Sequence, residues 1–129
     1  MARRRLWLGG WCAALALSAC SLSSQGQASH TVQTYLQARV QSNVDQMISL
    51  SCPEWEAQAR IEASTFKAMK AQLEGMACQD GTAGENTTLV ACQGKIVTTY
   101  NGETREWSLS ERQFKTVLQD GEWRMCGYQ

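Results

Sequence analysis

Proline and histidine each occur once in the 129 residues, as Pro53 and His30. One histidine at the edge of the exported part leaves no imidazole set for a catalytic metal. Twelve Lys and Arg balance twelve Asp and Glu, and no basic run stands out, so the electrostatic footprint of a nucleic-acid binder is missing. No apolar stretch reaches the roughly 20 residues that a membrane-spanning helix needs. There is no Gly-rich phosphate loop, no G-x-S-x-G elbow and no C-x-x-C knuckle. Cofactors, metals and nucleic acid are therefore not expected. With 43% apolar residues the chain is not of disordered type, and its length allows one small domain.

The N-terminus reads as an export address. Arg3, Arg4 and Arg5 precede the uncharged stretch Leu6 to Leu17, and small residues at Ser18 and Ala19 lead into Cys20. Leu17-Ser18-Ala19-Cys20 resembles the lipobox of bacterial lipoproteins. That resemblance implies cleavage before Cys20 and a diacylglyceryl group on its thiol. Residues 1–19 are then a signal peptide, 20–29 a lipidated cysteine with a Ser/Gln/Gly/Ala-rich tether, and 30–129 the folded domain. The expected location is extracytoplasmic, held on the bacterial cell membrane by lipid, since more than one acyl chain anchors stably. Loss of the three arginines leaves nine basic against twelve acidic residues, net −3. Such a surface has little attraction for anionic lipid, so the acyl chains must do the holding.

Of six cysteines, Cys12 departs with the signal and Cys20 goes to lipid, leaving Cys52, Cys78, Cys92 and Cys126. Four in a small exported domain read as two disulfides.

Apolar residues Val32, Tyr35, Leu36, Val40, Val44, Met47 and Ile48 recur at helical spacing, with Asn43 placed to cap a short second helix. Ser51-Cys52-Pro53-Glu54 starts a third, whose stripe Trp55, Ala59, Phe66, Met69 and Leu73 predicts a helix running to about Leu73 with Gly75 as its stop, and with Arg60, Glu62, Lys67 and Lys70 mostly outside the stripe. From Met76 the period changes to two. Strands are expected at 76–80, 87–100, 103–118 and 122–127, with hairpins at Asn101-Gly102 and Asp120-Gly121. The hairpin registers set Ile96 opposite Trp107, Thr98 opposite Arg105 and Leu118 opposite Trp123. A change of parity between Leu109 and Phe114 predicts a bulge near 111–113 that curls the sheet. A first hairpin turning through Gly81 to Glu85 sets Cys78 opposite Cys92, which leaves Cys52 for Cys126.

Three helices followed by a bent antiparallel sheet define an α+β class. Together with Tyr35-Leu36, the Ser51–Trp55 junction and the terminal Asp120-Gly121-Glu122-Trp123-Arg124-Met125-Cys126, this resembles nuclear transport factor 2-like domains of bacterial lipoproteins, a fold also called cystatin-like. The resemblance implies a cone-shaped cavity, lined with Asp, Tyr and His in enzymes such as ketosteroid isomerase and scytalone dehydratase, and in relatives often a homodimer. Here His30 reads as a solvated helix-start residue and Asp45 as a first-turn carboxylate. Tyr35, Trp55, Phe66, Tyr100 and Trp107 are the candidate pocket lining. Three functions follow: a tethered, non-catalytic binding module for a protein partner; a carrier of a small apolar ligand; and an isomerase- or dehydratase-like enzyme. The first calls for a closed cavity without buried ionisable groups, the second for an open aromatic pocket with a few polar contacts, and the third for a buried acid or base.

Overall fold

The computed structural model describes residues 26–129, so the signal, Cys20 and residues 21–25 of the expected tether lie outside the described residues. Helix α1 (Gln27–Val40) begins within what was expected to be tether, and Ala28 and Ser29 are already buried. Its first turn carries no acidic residue and its N-cap, Gly26, has no side chain. Asp80 supplies the missing acceptor from the sheet, taking hydrogen bonds from Gly26 N at 2.9 Å and Ser29 N at 2.8 Å.

Helix α2 (Val44–Ser49) is capped by the Asn43 side chain, which accepts from Gln46 N. A short 3-10 turn (Pro53–Trp55) leads into α3 (Glu56–Thr65). The expectation that this helix reaches Leu73 fails. It ends at Thr65, where the Ser64 and Thr65 hydroxyls both bond back to the Ile61 carbonyl. Strand β1 (Lys70–Ala83) then takes Met69's successors into a long antiparallel pairing with β2 (Thr87–Tyr100). Tertiary pairing outweighs a helical spacing that Met69 and Leu73 satisfy equally well. Gly75 is consequently no helix stop but part of a β-bulge, at φ 61°, where the register shifts between Glu74 and Ala77. Across from it, a Cβ on Gly94 would lie 2.6 Å from Gly75 and Glu74 backbone atoms, so only glycine fits there.

The expected single strand 103–118 is two. Strand β3 (Glu103–Ser108) pairs with the C-terminal half of β2, a 3-10 turn (Leu109–Glu111) follows, and β4 (Phe114–Gln119) pairs with β2's N-terminal half. The predicted change of parity is thus resolved by a turn that starts two residues before the expected bulge. Strand β5 (Glu122–Tyr128) completes the sheet, in order β1-β2-β4-β5 with β3 also paired to β2. Ile96 opposes Trp107, Thr98 opposes Arg105 and Leu118 opposes Trp123, as the hairpin turns dictate.

The helices cover one face of this curled sheet. Val32, Tyr35 and Leu36 from α1, Met47 from α2 and Ala59, Ala63 and Phe66 from α3 pack with Val90, Ile96, Phe114 and Met125 of the sheet. The chain after α2 docks on the free edge of β5, where Cys52 N donates to Met125 O and Met125 N to Leu50 O. A Cys52–Cys126 disulfide covers this junction, and Cys78–Cys92 spans β1 and β2. Helices on one face of a bent five-stranded antiparallel sheet make an α+β cone. Among the described residues no helix is long and apolar enough to cross a membrane.

Candidate functional site in the cone

The wide end of the cone holds an open cavity of about 180 Å³. Its apolar wall is Phe66, Ile96, Trp107, Leu109 and Phe114, and its polar groups are Arg39, Glu62, Ser108, Glu111, Arg112 and Tyr128. These residues come from the ends of α1 and α3, the middle of β2, the β3–β4 turn and the end of β5. The 3-10 turn at Leu109 is what makes the opening, because it separates β3 from β4 and turns Leu109 inward.

At the floor lies a carboxylate. Glu62 is only 5% exposed, against the expectation that it lies outside the α3 stripe. Both of its oxygens are occupied: Tyr35 Oη donates to Oε2 and Tyr128 Oη to Oε1, each at 2.7 Å. Behind them Trp55 Nε1 donates to Tyr35 Oη at 3.1 Å, and Arg39 Nη1 donates to Tyr128 Oη at 3.4 Å while standing 3.9 Å from Glu62 Oε2. A buried charge is tolerable only with such partners. The two phenols respond to it. Burial, then the Glu62 charge, pushes Tyr35 well above the ordinary range, and Tyr128 rises for the same two reasons, with Arg39 opposing.

Two guanidinium groups stand over aromatic rings beside this floor. Arg39 lies over Phe66 and Arg112 over Tyr128, each 5.2 Å from the ring centroid. Tyr128 is itself held edge-on by Trp55 and Phe114, both with centroids at 5.4 Å.

The five aromatics expected to line the pocket separate into three groups. Phe66 and Trp107 line the cavity. Tyr35 and Trp55 stand behind its floor, in the network that holds Glu62. Tyr100 is 53% exposed at the end of β2, beside a separate pocket of about 320 Å³ that it lines with Thr65, Met69 and Trp107. His30 and Asp45 are exposed and do not line this cavity. The one Cys/Glu group with metal-like spacing among the described residues, Cys52, Glu54 and Cys126, has both its sulfurs in the disulfide.

Sequence reasoning missed Glu62, Arg39, Arg112 and Tyr128. For two of them a signal existed. Glu62 lies three residues from Ala59 and four from Phe66, and Arg39 three and four from Leu36 and Tyr35, so both are charges set into an apolar helical stripe.

The sequence matches no family model and no curated protein. Solved structures share its fold. A provisionally assigned polyketide cyclase from Xanthomonas campestris superposes with TM-score 0.55 at 16% identity, over 81% of this chain and 93% of that one. A provisionally assigned dehydratase of the nuclear transport factor 2-like family from Streptomyces avermitilis gives 0.53 at 11% identity, over 77% and 88%. A nuclear transport factor 2-like protein of unknown function from Pseudomonas putida gives 0.53 at 10%, over 81% and 83%. The domain has the nuclear transport factor 2-like, cystatin-like fold. Likeness at this level of identity concerns fold, and activity has to be argued from the site.

Proposed function

We propose that the chain is a membrane-anchored extracytoplasmic lipoprotein, acylated at Cys20, whose domain binds a small, largely apolar molecule in the cone. The observation that carries the binding half is the cavity itself: open, walled by Phe66, Ile96, Trp107, Leu109 and Phe114, and floored by a carboxylate whose oxygens are already satisfied. A cavity of roughly 150 Å³ lined by apolar side chains suffices for benzene, so about 180 Å³ suits a single ring or an aliphatic group of that size. The open mouth and the buried Glu62 group favour this reading over docking of a protein partner on a closed cone, and an apolar wall suits a guest drawn from water.

Non-catalytic binding also agrees with the floor's chemistry. Both phenol protons are donated to Glu62, and both phenols are held in their neutral form by burial. A general acid or base needs a proton that it can exchange near the working pH.

The anchor and the mouth lie at opposite ends of α1. Arg39 is in its last turn, about 20 Å along the helix axis from Gly26. Six residues of chain join Cys20 to Gly26 and reach at most about 20 Å.

Intact mass measurement on the full chain, produced in a lipoprotein-processing bacterium and extracted with detergent, tests the anchoring half. The expected product begins at Cys20, carries acyl mass and lacks four hydrogens for the two disulfides. A Cys20→Ser chain is expected to lose the acyl mass; an uncleaved or unacylated wild-type product contradicts the reading.

A further inference from the structure

Two cations stand at the mouth of the cavity, and the structure leaves hydrogen-bond donors on them unused. Arg39 Nε is a buried polar atom without a hydrogen-bond partner. Its Nη1 reaches Tyr128 at 3.4 Å and stands at 3.9 Å from Glu62, so the guanidinium is beside that carboxylate without forming the close paired contact that would occupy it. Arg112 makes no ion pair among the described residues, although it lines the cavity and is steadied by the Tyr128 ring. The lining carboxylates offer no equivalent welcome to a cation. Glu62 has given both oxygens to tyrosine hydroxyls, and Glu111 and Arg112 are both exposed, so water screens the two alike.

Guanidinium groups present parallel N–H donors that match the two oxygens of a carboxylate. The apolar wall opposite, Phe66, Trp107, Leu109 and Phe114, has room for one ring. From this arrangement we infer that the cavity selects small monocyclic carboxylic acids, with the carboxylate between Arg39 and Arg112 and the ring against Trp107 and Phe114. This inference rests on the cavity-binding reading above and adds the charge of the guest to it. The sign of the selection follows from the same groups: anion above neutral analogue.

Equilibrium dialysis of benzoate and of benzyl alcohol against the purified full chain, with protein-free detergent buffer as the blank, tests it. Benzoate is expected to bind at least about 10-fold more tightly, the discrimination that one charge-assisted hydrogen bond supports. Arg112→Gln removes an exposed cation without opening the core. It is expected to abolish that preference, with an unchanged thermal melt by circular dichroism showing that the variant is folded. Arg39→Lys, which keeps the charge but loses the planar guanidinium fork, is expected to weaken benzoate binding. Equal binding of the two probes, or a preference that survives Arg112→Gln, overturns the inference and leaves the cavity reading standing. Binding of neither probe overturns both.

Discussion

Tyr128, at the end of β5, and Tyr35, on the first helix, donate their hydroxyls to opposite oxygens of one carboxylate, each at 2.7 Å. Glu62 between them therefore joins α1, α3 and β5 at the floor of the cone. The arrangement couples stability to the shape of the cavity, because the same tyrosine that holds Glu62 also forms the cavity wall beside Arg112.

Glu62→Gln preserves volume but replaces one acceptor oxygen by a donor, leaving one buried tyrosine O–H without an acceptor. The expected cost is about 1–3 kcal/mol. For a domain of this size that is a fall in Tm of roughly 4 °C or more, read by circular dichroism. An unchanged Tm is the contrary result.

The raised phenols give a pH dependence with a definite sign. Below the ordinary phenol value near 10, folded and unfolded chains both keep these protons and stability does not vary on their account. Above it the unfolded state loses protons that Tyr35 and Tyr128 retain when folded, so stability falls as pH rises, by up to about 1.4 kcal/mol per pH unit for each tyrosine. Denaturant midpoints measured between pH 9 and 12 should show the fall, and a Tyr35→Phe/Tyr128→Phe chain should flatten it.

The two disulfides close loops of different length, with separations of 74 residues for Cys52–Cys126 and 14 for Cys78–Cys92. Loop-closure entropy makes removal of the longer bridge the costlier by about 1.4 kcal/mol. Paired Cys→Ala variants compared by chemical denaturation check the order; a costlier loss of Cys78–Cys92 contradicts it.

Asp80 is the sole side chain among the described residues that accepts from backbone N–H groups at the N-terminus of α1. Asp80→Ala is expected to cost about 1 kcal/mol and to speed amide exchange at Ser29 and its neighbours before any other part of α1. Uniform exchange along the helix would place the effect elsewhere.

What the sequence made legible was local or governed by local turns. Asn101 and Asp120 both adopt positive φ ahead of a glycine, at 49° and 50°, and each such pair set its strand register for many residues on either side. The Asn43 cap and the start near Pro53 are equally local. The end of α3 was not legible, because Phe66, Met69 and Leu73 satisfy a helical period and the reason the chain leaves the helix is pairing with β2, distant in sequence. The polar floor was hidden for a different reason. Glu62 was placed mostly outside the α3 stripe and Arg39 drew no reading, whereas their positions in the stripes of α3 and α1 point inward. Only the folded chain shows that Tyr35 and Tyr128 meet one of them. Aromatic residues alone drew attention to Phe66 and Trp107, which line the cavity, and to Tyr100, which projects from the far end of β2.

The measurement closest to the central claim is methyl-resolved NMR of the full chain titrated with benzyl alcohol. Ile96 and Leu109 line the cavity, while Ile61, 60% exposed on α3, serves as an internal control. Saturable shifts at Ile96 and Leu109 with Ile61 unmoved are the predicted result. Unmoved Ile96 and Leu109 signals, or shifts of all three in proportion to ligand added, would contradict a binding site in the cone.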